Sequence, residues 1–186
     1  MSGVSSTFPH TRSSRLGYDT DEVEDFLEDA RRAYTSEAPV ATTVTADAIR
    51  GTGFTMRKGG YSPAHVDAAL ERLEDAFAAR ERERAVAQLG EQLWFNQARS
   101  GAQVILDRIV RPRGKRFRRL SILALGYSVR EVDALTDRIA QYFQSGKALS
   151  IDQVRTSAFH AQRGGYQEAQ VDILLDAVTR VMLAVR

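Results

Sequence analysis

The sequence contains no cysteine, only four prolines and only three histidines among its 186 residues. Without cysteine, disulfide bonds, thiolate metal sites and cysteine nucleophiles are all excluded. The histidines, His10, His65 and His160, are scattered, and none stands beside a nucleophile or at a metal-ligand spacing. The sequence therefore predicts a protein that is not an enzyme and that binds no metal and no cofactor.

Long apolar runs and a strong excess of charge of either sign are also missing. No stretch approaches the roughly 18 consecutive apolar residues of a membrane-spanning helix. The first residues, MSGVSSTFPHTRSSRLGY, lack the apolar core of a secretory signal. The formal net charge is only +2, so any anion contact has to come from a local cluster of cations. These absences predict a cytoplasmic globular protein.

One sequence frame is present four times: Gly-Tyr, four variable residues, Val, and then an acid. Its copies are LGYDTDEVEDFL, GGYSPAHVDAAL, LGYSVREVDALT and GGYQEAQVDILL. The glycine and tyrosine pairs are Gly17 and Tyr18, Gly60 and Tyr61, Gly126 and Tyr127, and Gly165 and Tyr166. The valine and acid pairs are Val23 and Glu24, Val66 and Asp67, Val132 and Asp133, and Val171 and Asp172.

Each copy has the features of a helix start. The glycine permits a sharp turn or a positive φ, and the residue after the tyrosine is a good N-cap in three copies, Asp19, Ser62 and Ser128. Glu22 and Glu131 stand three residues later, as in a capping box. The tyrosine and the valine occupy the two positions of a hydrophobic staple, which predicts the contacts Tyr18–Val23, Tyr61–Val66, Tyr127–Val132 and Tyr166–Val171.

Apolar residues follow the tyrosines at heptad spacing, as in the series Val66, Leu70, Leu73 and Phe77. A wide apolar stripe of this kind is typical of helices packed in a small bundle, so the predicted fold class is all-α. Copies two and four are also preceded by short helical segments with N-caps, which begin at Thr45 and Ser150.

Copies with long and short loops alternate, which indicates the duplication of a two-copy unit. The chain is therefore predicted to contain one repeat pair in residues 1–80, a central helical connector in residues 81–113 and a second repeat pair in residues 114–186. The helix from Pro63 is predicted to continue to about Asn96. Trp94 and Phe95 are adjacent and cannot share one helix face, so either the helix is buried on two sides or one aromatic contacts a partner.

The copies of the frame resemble the N-terminal domain of the DivIVA family, whose members are bacterial scaffolds of cell division and polar growth. The resemblance is carried by TADAIRGTGFTMRKGGYSPAHVDAALERL and SIDQVRTSAFHAQRGGYQEAQVDILLDAV. The matching residues are Ile49, Phe54, Gly60, Tyr61, Val66, Asp67 and Leu70, and Val154, Phe159, Gly165, Tyr166, Val171, Asp172 and Leu175. Copies one and three match from the Gly-Tyr onward, and the Ala- and Arg-rich composition is similar to that of actinobacterial chains.

The resemblance implies a non-enzymatic cytoplasmic scaffold or adaptor that contacts other cell-division or envelope-growth proteins. Family domains present a groove to partner tails that often contain arginine, which makes the frame's acids candidate partner contacts: Glu24, Asp67, Asp133 and Asp172. Membrane contact in the family lies in the loop before Gly-Tyr. Here that position holds Arg15, Lys58 and Arg163, which are candidate contacts for an anionic membrane near the septum or the poles.

A second hypothesis is nucleic-acid binding. Residues 111–119, RPRGKRFRR, form the densest basic cluster of the chain and run from Arg111 to Arg119. A local cluster of this kind is the electrostatic footprint that nucleic-acid-binding proteins show. The net charge is small, however, and acids alternate with bases over most of the chain, so nucleic acid ranks second as a partner.

The DivIVA resemblance also implies parallel dimers, in which two copies of one helix start lie side by side. A chain with four copies can form such pairs within itself. The first helix, of about 17 residues, is about 25 Å long, and the segments that lead back, SEAPVATTVTAD and QSGKALSI, span about 40 Å and about 26 Å. Copy one is predicted to pair with copy two and copy three with copy four, as two pseudo-dimers around the central long helix. A homodimer through Trp94 or Phe95 stays open.

Overall fold

The computed structural model describes residues 7–36 and 44–185. Helices dominate this part of the chain, so the prediction of a mainly helical protein is confirmed, although four short strands accompany the helices. Contacts divide the chain into a first unit, Met1–Glu81, and a second unit, Arg82–Arg186. In chain order the elements are β1 (Leu16–Tyr18), α1 (Thr20–Thr35), α2 (Ala46–Arg50), β2 (Met56–Lys58), α3 (Pro63–Leu89), α4 (Glu91–Ile109), β3 (Leu125–Tyr127), α5 (Val129–Ser145), α6 (Ile151–Arg155), β4 (Ala161–Arg163) and α7 (Glu168–Ala184).

Short antiparallel strand pairs join the copies of the frame. In the first unit β1 pairs with β2, and in the second unit β3 pairs with β4. Tyr18 and Tyr61 exchange two backbone hydrogen bonds, of 2.9 and 2.8 Å. Tyr127 and Tyr166 do the same over 3.0 and 2.9 Å. The first copy therefore contacts the second, and the third contacts the fourth, through the frame's own tyrosines.

In the first unit, α1 and α3 lie side by side and run in the same direction. Near the helix starts, Val23 and Val66 belong to one buried cluster. Near the end of α1, the ring of Tyr34 lies 5.4 Å from the ring of Phe77 on α3. The two residues of each pair are 43 positions apart in sequence, and so are Tyr18 and Tyr61 of the frame. The two copies are therefore in register over the whole length of α1.

The N-cap expected at Asp19 is confirmed, but the capping box is not formed. Asp19 accepts the backbone N–H groups of the first turn of α1, whereas its own N–H donates to the Thr55 carbonyl over 2.8 Å. Because that N–H is already satisfied, Glu22 turns to the loop of the other copy and accepts the Thr55 N–H over 2.7 Å. In the second unit Glu131 likewise accepts the His160 N–H over 2.8 Å.

The two short prefix helices begin at the predicted caps. Thr45 caps α2, and Ser150 caps α6 with a complete capping box that includes Gln153. In the first unit, Arg50 on α2 forms an ion pair with Glu74 on α3, which is only 3% exposed. A buried charge needs such a partner, so this pair fixes the position of α2 on α3.

The segment predicted as a central connector supplies α4, which packs against α5 and α7 in the second unit. Trp94 near the start of α4 donates a hydrogen bond of 3.2 Å to the carbonyl of Ala184 at the end of α7. Gly101, two turns later, lies close to Val181. The order of these contacts shows that α4 runs antiparallel to α7.

The helix from Pro63 ends earlier than the sequence analysis predicted, so its continuation to Asn96 is wrong. α3 ends at Leu89, and Gly90 has a positive φ of 85° before α4 begins at Glu91. Glycine accepts this left-handed conformation without a Cβ penalty, and it is the usual residue after a helix end. One glycine thus divides the predicted long helix in two.

The glycines of the frame are required by close backbone approach. A Cβ on Gly165 would lie 2.5 Å from the Tyr127 carbonyl oxygen, and a Cβ on Gly60 would collide with the Tyr18 carbonyl oxygen. The alternative of a positive φ is wrong at these positions, because positive φ occurs one residue earlier in copies two and four, at Gly59 and Gly164. The frame's glycines therefore let two main chains touch.

The predicted return segment of the first unit, SEAPVATTVTAD, falls mostly on residues 37–43, which lie outside the described residues, as do residues 1–6 and residue 186. The corresponding segment of the second unit, QSGKALSI, leads from α5 to α6. It begins with a left-handed turn at Gly146, where φ is 66° and the N–H bonds back to the last turn of α5.

We expect Gly60→Ala to lower the free energy of unfolding by more than about 1 kcal/mol, because the added Cβ forces the paired backbones apart. Urea denaturation of the purified variant measures this. Gly53→Ala is the matched control, since no atom lies within 4 Å of a Cβ built there. Equal losses of stability in the two variants would contradict this explanation of the glycine.

Candidate functional site

The tyrosine hydroxyls of the frame face carboxylates of the paired copy. Tyr61 bonds to Glu24, and the Tyr166 hydroxyl donates to Asp133 over 3.0 Å. Tyr18 and Tyr127 lie near Asp67 and Asp172, close enough for these acids to add to the effect of burial on the tyrosine pKa. Each tyrosine precedes its own helix and faces the acid on the neighbouring helix. Of the four acids predicted as partner contacts, Glu24 and Asp133 are therefore engaged within the chain as acceptors.

A phenylalanine from the loop of one copy packs on the tyrosine of the other copy. The ring centroids are 5.1 to 5.5 Å apart in the pairs Phe8–Tyr61, Phe54–Tyr18, Phe117–Tyr166 and Phe159–Tyr127. In the first unit both predicted staple pairs lie in the same cluster, in which Val23, Tyr61 and Val66 are buried and Tyr18 packs against them. The aromatic rings thus close the helix starts against water.

Burial raises the pKa of Tyr61 and of Tyr166 above the ordinary tyrosine value, and the adjacent carboxylates of Glu24 and Asp133 raise it further. An ionised phenolate would lose its hydration and would lie beside a second negative charge. The same two causes raise the pKa of the other two tyrosines of the frame. At neutral pH all four hydroxyls therefore remain protonated donors.

Beside Tyr166, a groove on α5 holds the guanidinium group of Arg116, which is only 7% exposed. This group donates to the Asp133 carbonyl oxygen over 2.9 Å, to Thr136 Oγ1 over 2.6 Å and to the Asp137 carboxylate over 2.5 Å. The backbone N–H of Arg116 lies 3.4 Å from the Tyr166 hydroxyl. We call the site formed by Asp133, Thr136 and Asp137 the second groove.

A second arginine completes the charge balance of the second groove. Arg113 Nε donates to the other oxygen of Asp137 over 2.9 Å, and the Gly114 N–H donates to Asp133 over 2.7 Å. Burial by itself raises the pKa of Asp137, but hydrogen bonds and charges from Arg116 and Arg113 lower it below its ordinary value. The Asp137 carboxylate is therefore ionised and paired at neutral pH.

The corresponding site in the first unit lies beside Tyr61 and lacks the arginine. The Thr7 N–H lies 3.3 Å from the Tyr61 hydroxyl, so Thr7 holds the position that Arg116 holds in the second unit. The positions of the first unit that correspond to Asp133, Thr136 and Asp137 hold Glu24, Leu27 and Glu28. We call this site the first groove, and together with Arg31, Arg32 and Thr35 these residues line a cavity of about 590 Å³.

The cations predicted to contact a membrane, Arg15, Lys58 and Arg163, are all exposed. Lys58 lies opposite Leu16 in the first strand pair, and Arg163 lies opposite Leu125 in the second. Large apolar side chains also lie at these loops. More than half of the surface is exposed for four of them, Leu16, Ile122, Leu123 and Leu125.

The two adjacent aromatic residues of α4 have different environments. Trp94 is half-buried and bonds to α7, so it contributes to the packing of the second unit. Phe95 is 44% exposed. Of the two candidates for a partner contact, the structure leaves Phe95 on the surface.

The basic segment, residues 111–119, faces partly inward. Arg113 and Arg116 bond to Asp137, and Arg119 donates to the Gly164 carbonyl over 2.6 Å. Phe117 in the middle of the segment is 5% exposed. A nucleic-acid-binding surface needs cations directed at solvent. Arg116 is buried, and the exposed Arg113 and Arg119 also bond to protein groups, so part of the charge of this segment is already paired within the protein.

The sequence analysis did not identify the two grooves. The signal that could have found them is the comparison of the two halves at their separation of 109 residues, which sets Arg116 against Thr7 and Thr136 against Leu27. The second half has Arg116 and Thr136 where the first half has Thr7 and Leu27. This difference indicates that the two sites are used differently.

Within residues 7–36 and 44–185, no group of three His, Asp or Glu side chains is placed to hold a metal ion. In the same part of the chain, every helix is too short or too polar to cross a bilayer.

We expect the stability of the protein to fall as the pH rises above about 10, the ordinary tyrosine pKa. The folded-state pKa values of the frame's tyrosines are raised, so their contribution is complete below the unfolded pKa and is lost as the pH passes the folded one. Tyr61→Phe with Tyr166→Phe should lower stability by about 1–2 kcal/mol per site at neutral pH. The variant should then lose less stability than the original chain between about pH 8 and about pH 11.

Urea denaturation at the two pH values measures both effects. Tyr142→Phe is the control, because the ring of Tyr142 contacts Phe143 and is no part of the frame. An equal loss of stability at high pH in the double variant and in the original chain would show that the tyrosine–carboxylate bonds do not govern it.

Comparisons with known proteins identify no relative: no family model matches the chain, and no curated protein and no solved structure matches it either. The function is therefore inferred from the chain's own residues, above all from the paired Gly-Tyr segments, from the tyrosine–carboxylate bonds of Tyr61 and Tyr166 and from the two grooves beside these tyrosines.

Proposed function

We propose that the chain is a non-enzymatic adaptor of the DivIVA type that acts in bacterial cell division or envelope growth through contacts with other proteins. One observation carries the proposal: within each unit, two Gly-Tyr helix starts exchange backbone bonds reciprocally and are also joined by a tyrosine–carboxylate bond. The DivIVA resemblance implies this side-by-side arrangement for two chains of a parallel dimer. In this protein one chain supplies both helix starts of such a pair, once in each unit.

The register of the first unit supports this proposal. α1 and α3 keep one separation in sequence from Val23 and Val66 to Tyr34 and Phe77, as two copies of one helix would in a parallel dimer. The pairing needs no second molecule, so we propose that each unit is a pseudo-dimer folded from a single chain. An adaptor of this kind has a fixed number of binding sites that does not depend on its own concentration.

We propose that partner proteins are bound at the first groove. Glu24 and Glu28 line a cavity there with Leu27 between them, and Arg31 and Arg32 line it as well. Carboxylates beside an apolar wall suit an arginine side chain, which combines a charged planar head with an aliphatic stem. This agrees with the arginine-containing tails that the resemblance implies as partners.

We propose further that the loops before Gly-Tyr contact the anionic membrane surface from the cytoplasmic side, near the septum or the poles. Arg15, Lys58 and Arg163 supply cations, each worth about 1 kcal/mol near such a surface. The exposed Leu16 and Leu125 lie opposite two of these cations and add apolar contact. Nucleic-acid binding is not proposed, because three arginines of the basic segment already bond to the protein.

A fluorescent fusion imaged in the organism that carries the gene tests the adaptor function. We expect enrichment at the septum or at the poles, with the fluorescent protein alone as control. A uniform or nucleoid signal would count against the function in division or envelope growth.

Co-sedimentation with anionic liposomes tests the membrane contact. We expect binding to fall as salt rises, because exposed charges are screened. Binding should fall further in a triple variant in which Arg15, Lys58 and Arg163 are replaced by serine. The charge-matched control replaces Arg72, Arg99 and Arg130, which lie on helices, by serine.

The same experiment with neutral liposomes separates charge from apolar contact. Strong binding to neutral vesicles, or binding that the triple replacement leaves unchanged, would refute an electrostatic contact at these loops. Equal losses in the triple variant and in its control would show that only net charge matters.

A further inference from the structure

The two grooves share one backbone frame but differ in what fills them. Thr7 and Arg116 hold corresponding positions, since each donates its backbone N–H to the buried tyrosine hydroxyl. In the second groove the side chain at this position is a guanidinium, buried against α5. In the first groove it is a threonine, and residues 1–6, which lie outside the described residues, contain no Arg or Lys.

Arg116 is held as a bound ligand would be held. Its guanidinium bonds to a carbonyl, a hydroxyl and a carboxylate on α5, and its Nε donates to the Arg111 carbonyl over 3.2 Å, which together match the planar fork of arginine. A buried cation is tolerated only where such partners satisfy it. The second groove is therefore a guanidinium site whose occupant comes from the same chain.

This occupant leaves the carboxylates of the second groove with no free oxygen. The two oxygens of Asp137 accept bonds from Arg116 and Arg113. The two oxygens of Asp133 accept bonds from the Tyr166 hydroxyl and the Gly114 N–H. An arginine from another molecule could bind here only by displacing the side chains that the chain itself provides.

We propose that Arg116 is a built-in ligand that closes the second groove to arginine side chains of other proteins, while the corresponding first groove remains open to them. The two units thus have the same frame and opposite roles at this position. The inference rests on the proposed function in that the ligand of the first groove is taken to be a partner's arginine. The closure of the second groove can be tested separately.

A reciprocal exchange of two residues is the sharpest test. Arg116→Thr gives the second groove the residue of the first, and Thr7→Arg gives the first groove the residue of the second. The probe is an acetylated and amidated peptide, Arg-Gly-Lys-Arg, which copies residues 113–116. The control peptide, Lys-Gly-Lys-Lys, has the same charge but no guanidinium group.

Isothermal titration calorimetry of the full chain counts the sites for this peptide. We expect Arg116→Thr to bind one more peptide than the original chain, and Thr7→Arg to bind one fewer. The chain with both changes should bind as many as the original. Asp137→Asn added to Arg116→Thr should remove the gained site, and Arg118→Thr, an exposed arginine of the same segment, should gain none.

The outcomes separate the two proposals. If the original chain binds no peptide but Arg116→Thr binds one, the closure stands and the proposed ligand of the first groove fails. If Arg116→Thr binds no more peptide than the original chain, the closure is overturned, whatever the first groove does. A gain that the lysine peptide reproduces would also overturn it, because the site would then not be specific for guanidinium.

Arg116→Lys serves if Arg116→Thr does not fold, as circular dichroism would show. Its ammonium group cannot bond to the carbonyl, the hydroxyl and the carboxylate in the geometry of the guanidinium, so the arginine peptide should displace it and occupy the second groove. Equal numbers of bound peptides in Arg116→Lys and in the original chain would then overturn the proposal.

Discussion

The backbone contact between two Gly-Tyr segments is the constraint on which the rest of each unit depends. Tyr127 and Tyr166 exchange two main-chain hydrogen bonds, and a Cβ at Gly165 would lie 2.5 Å from the facing carbonyl oxygen. Once the main chains are this close, the helices that follow must start side by side. Each tyrosine is then placed near the acid of the other helix, and the Tyr166 hydroxyl donates to the buried Asp133 carboxylate. Register, burial and the paired carboxylates all follow from one contact for which only glycine leaves room.

Local signals in the sequence predicted what is local in the structure. The N-caps at Asp19, Thr45 and Ser150 could be predicted because a cap depends on residues within one turn. The mainly helical class followed from apolar periodicity in the same way. Glu22 was assigned to a capping box because sequence shows only its own turn, while its bond goes to Thr55, 33 residues away. The acceptors of the tyrosine hydroxyls and the site of Arg116 escaped prediction for the same reason, since their partners are close only after the copies pair.

The end of α3 is a different kind of error. The apolar pattern continues across Gly90, so periodicity alone favoured one long helix, and the glycine was not weighed as a helix end. A glycine within a helical pattern costs only about 1 kcal/mol relative to alanine, which makes it ambiguous in sequence. In the structure Gly90 has a φ of 85°, and this conformation cannot continue an α-helix, so α3 ends before it. α4 then packs against α5 and α7, and Ile105 and Ile109 of α4 are almost fully buried.

The two units show which parts of a duplicated frame are tied to the fold and which are able to change. The tyrosine and the acid occur in all four copies, and for the buried pair of Tyr166 and Asp133 removing either leaves a buried polar group without its partner. The side chain of the residue before the loop phenylalanine, Thr7 or Arg116, can vary, since only the backbone N–H of this residue reaches the tyrosine hydroxyl. It is threonine in one unit and arginine in the other. The change to arginine is accompanied by Thr136 and by the carboxylate of Asp137, which together satisfy a buried guanidinium. Leu27 at the position of Thr136 could not accept that hydrogen bond, so the difference between the grooves extends from the loop to α1 and α5 and is more than a single exchange.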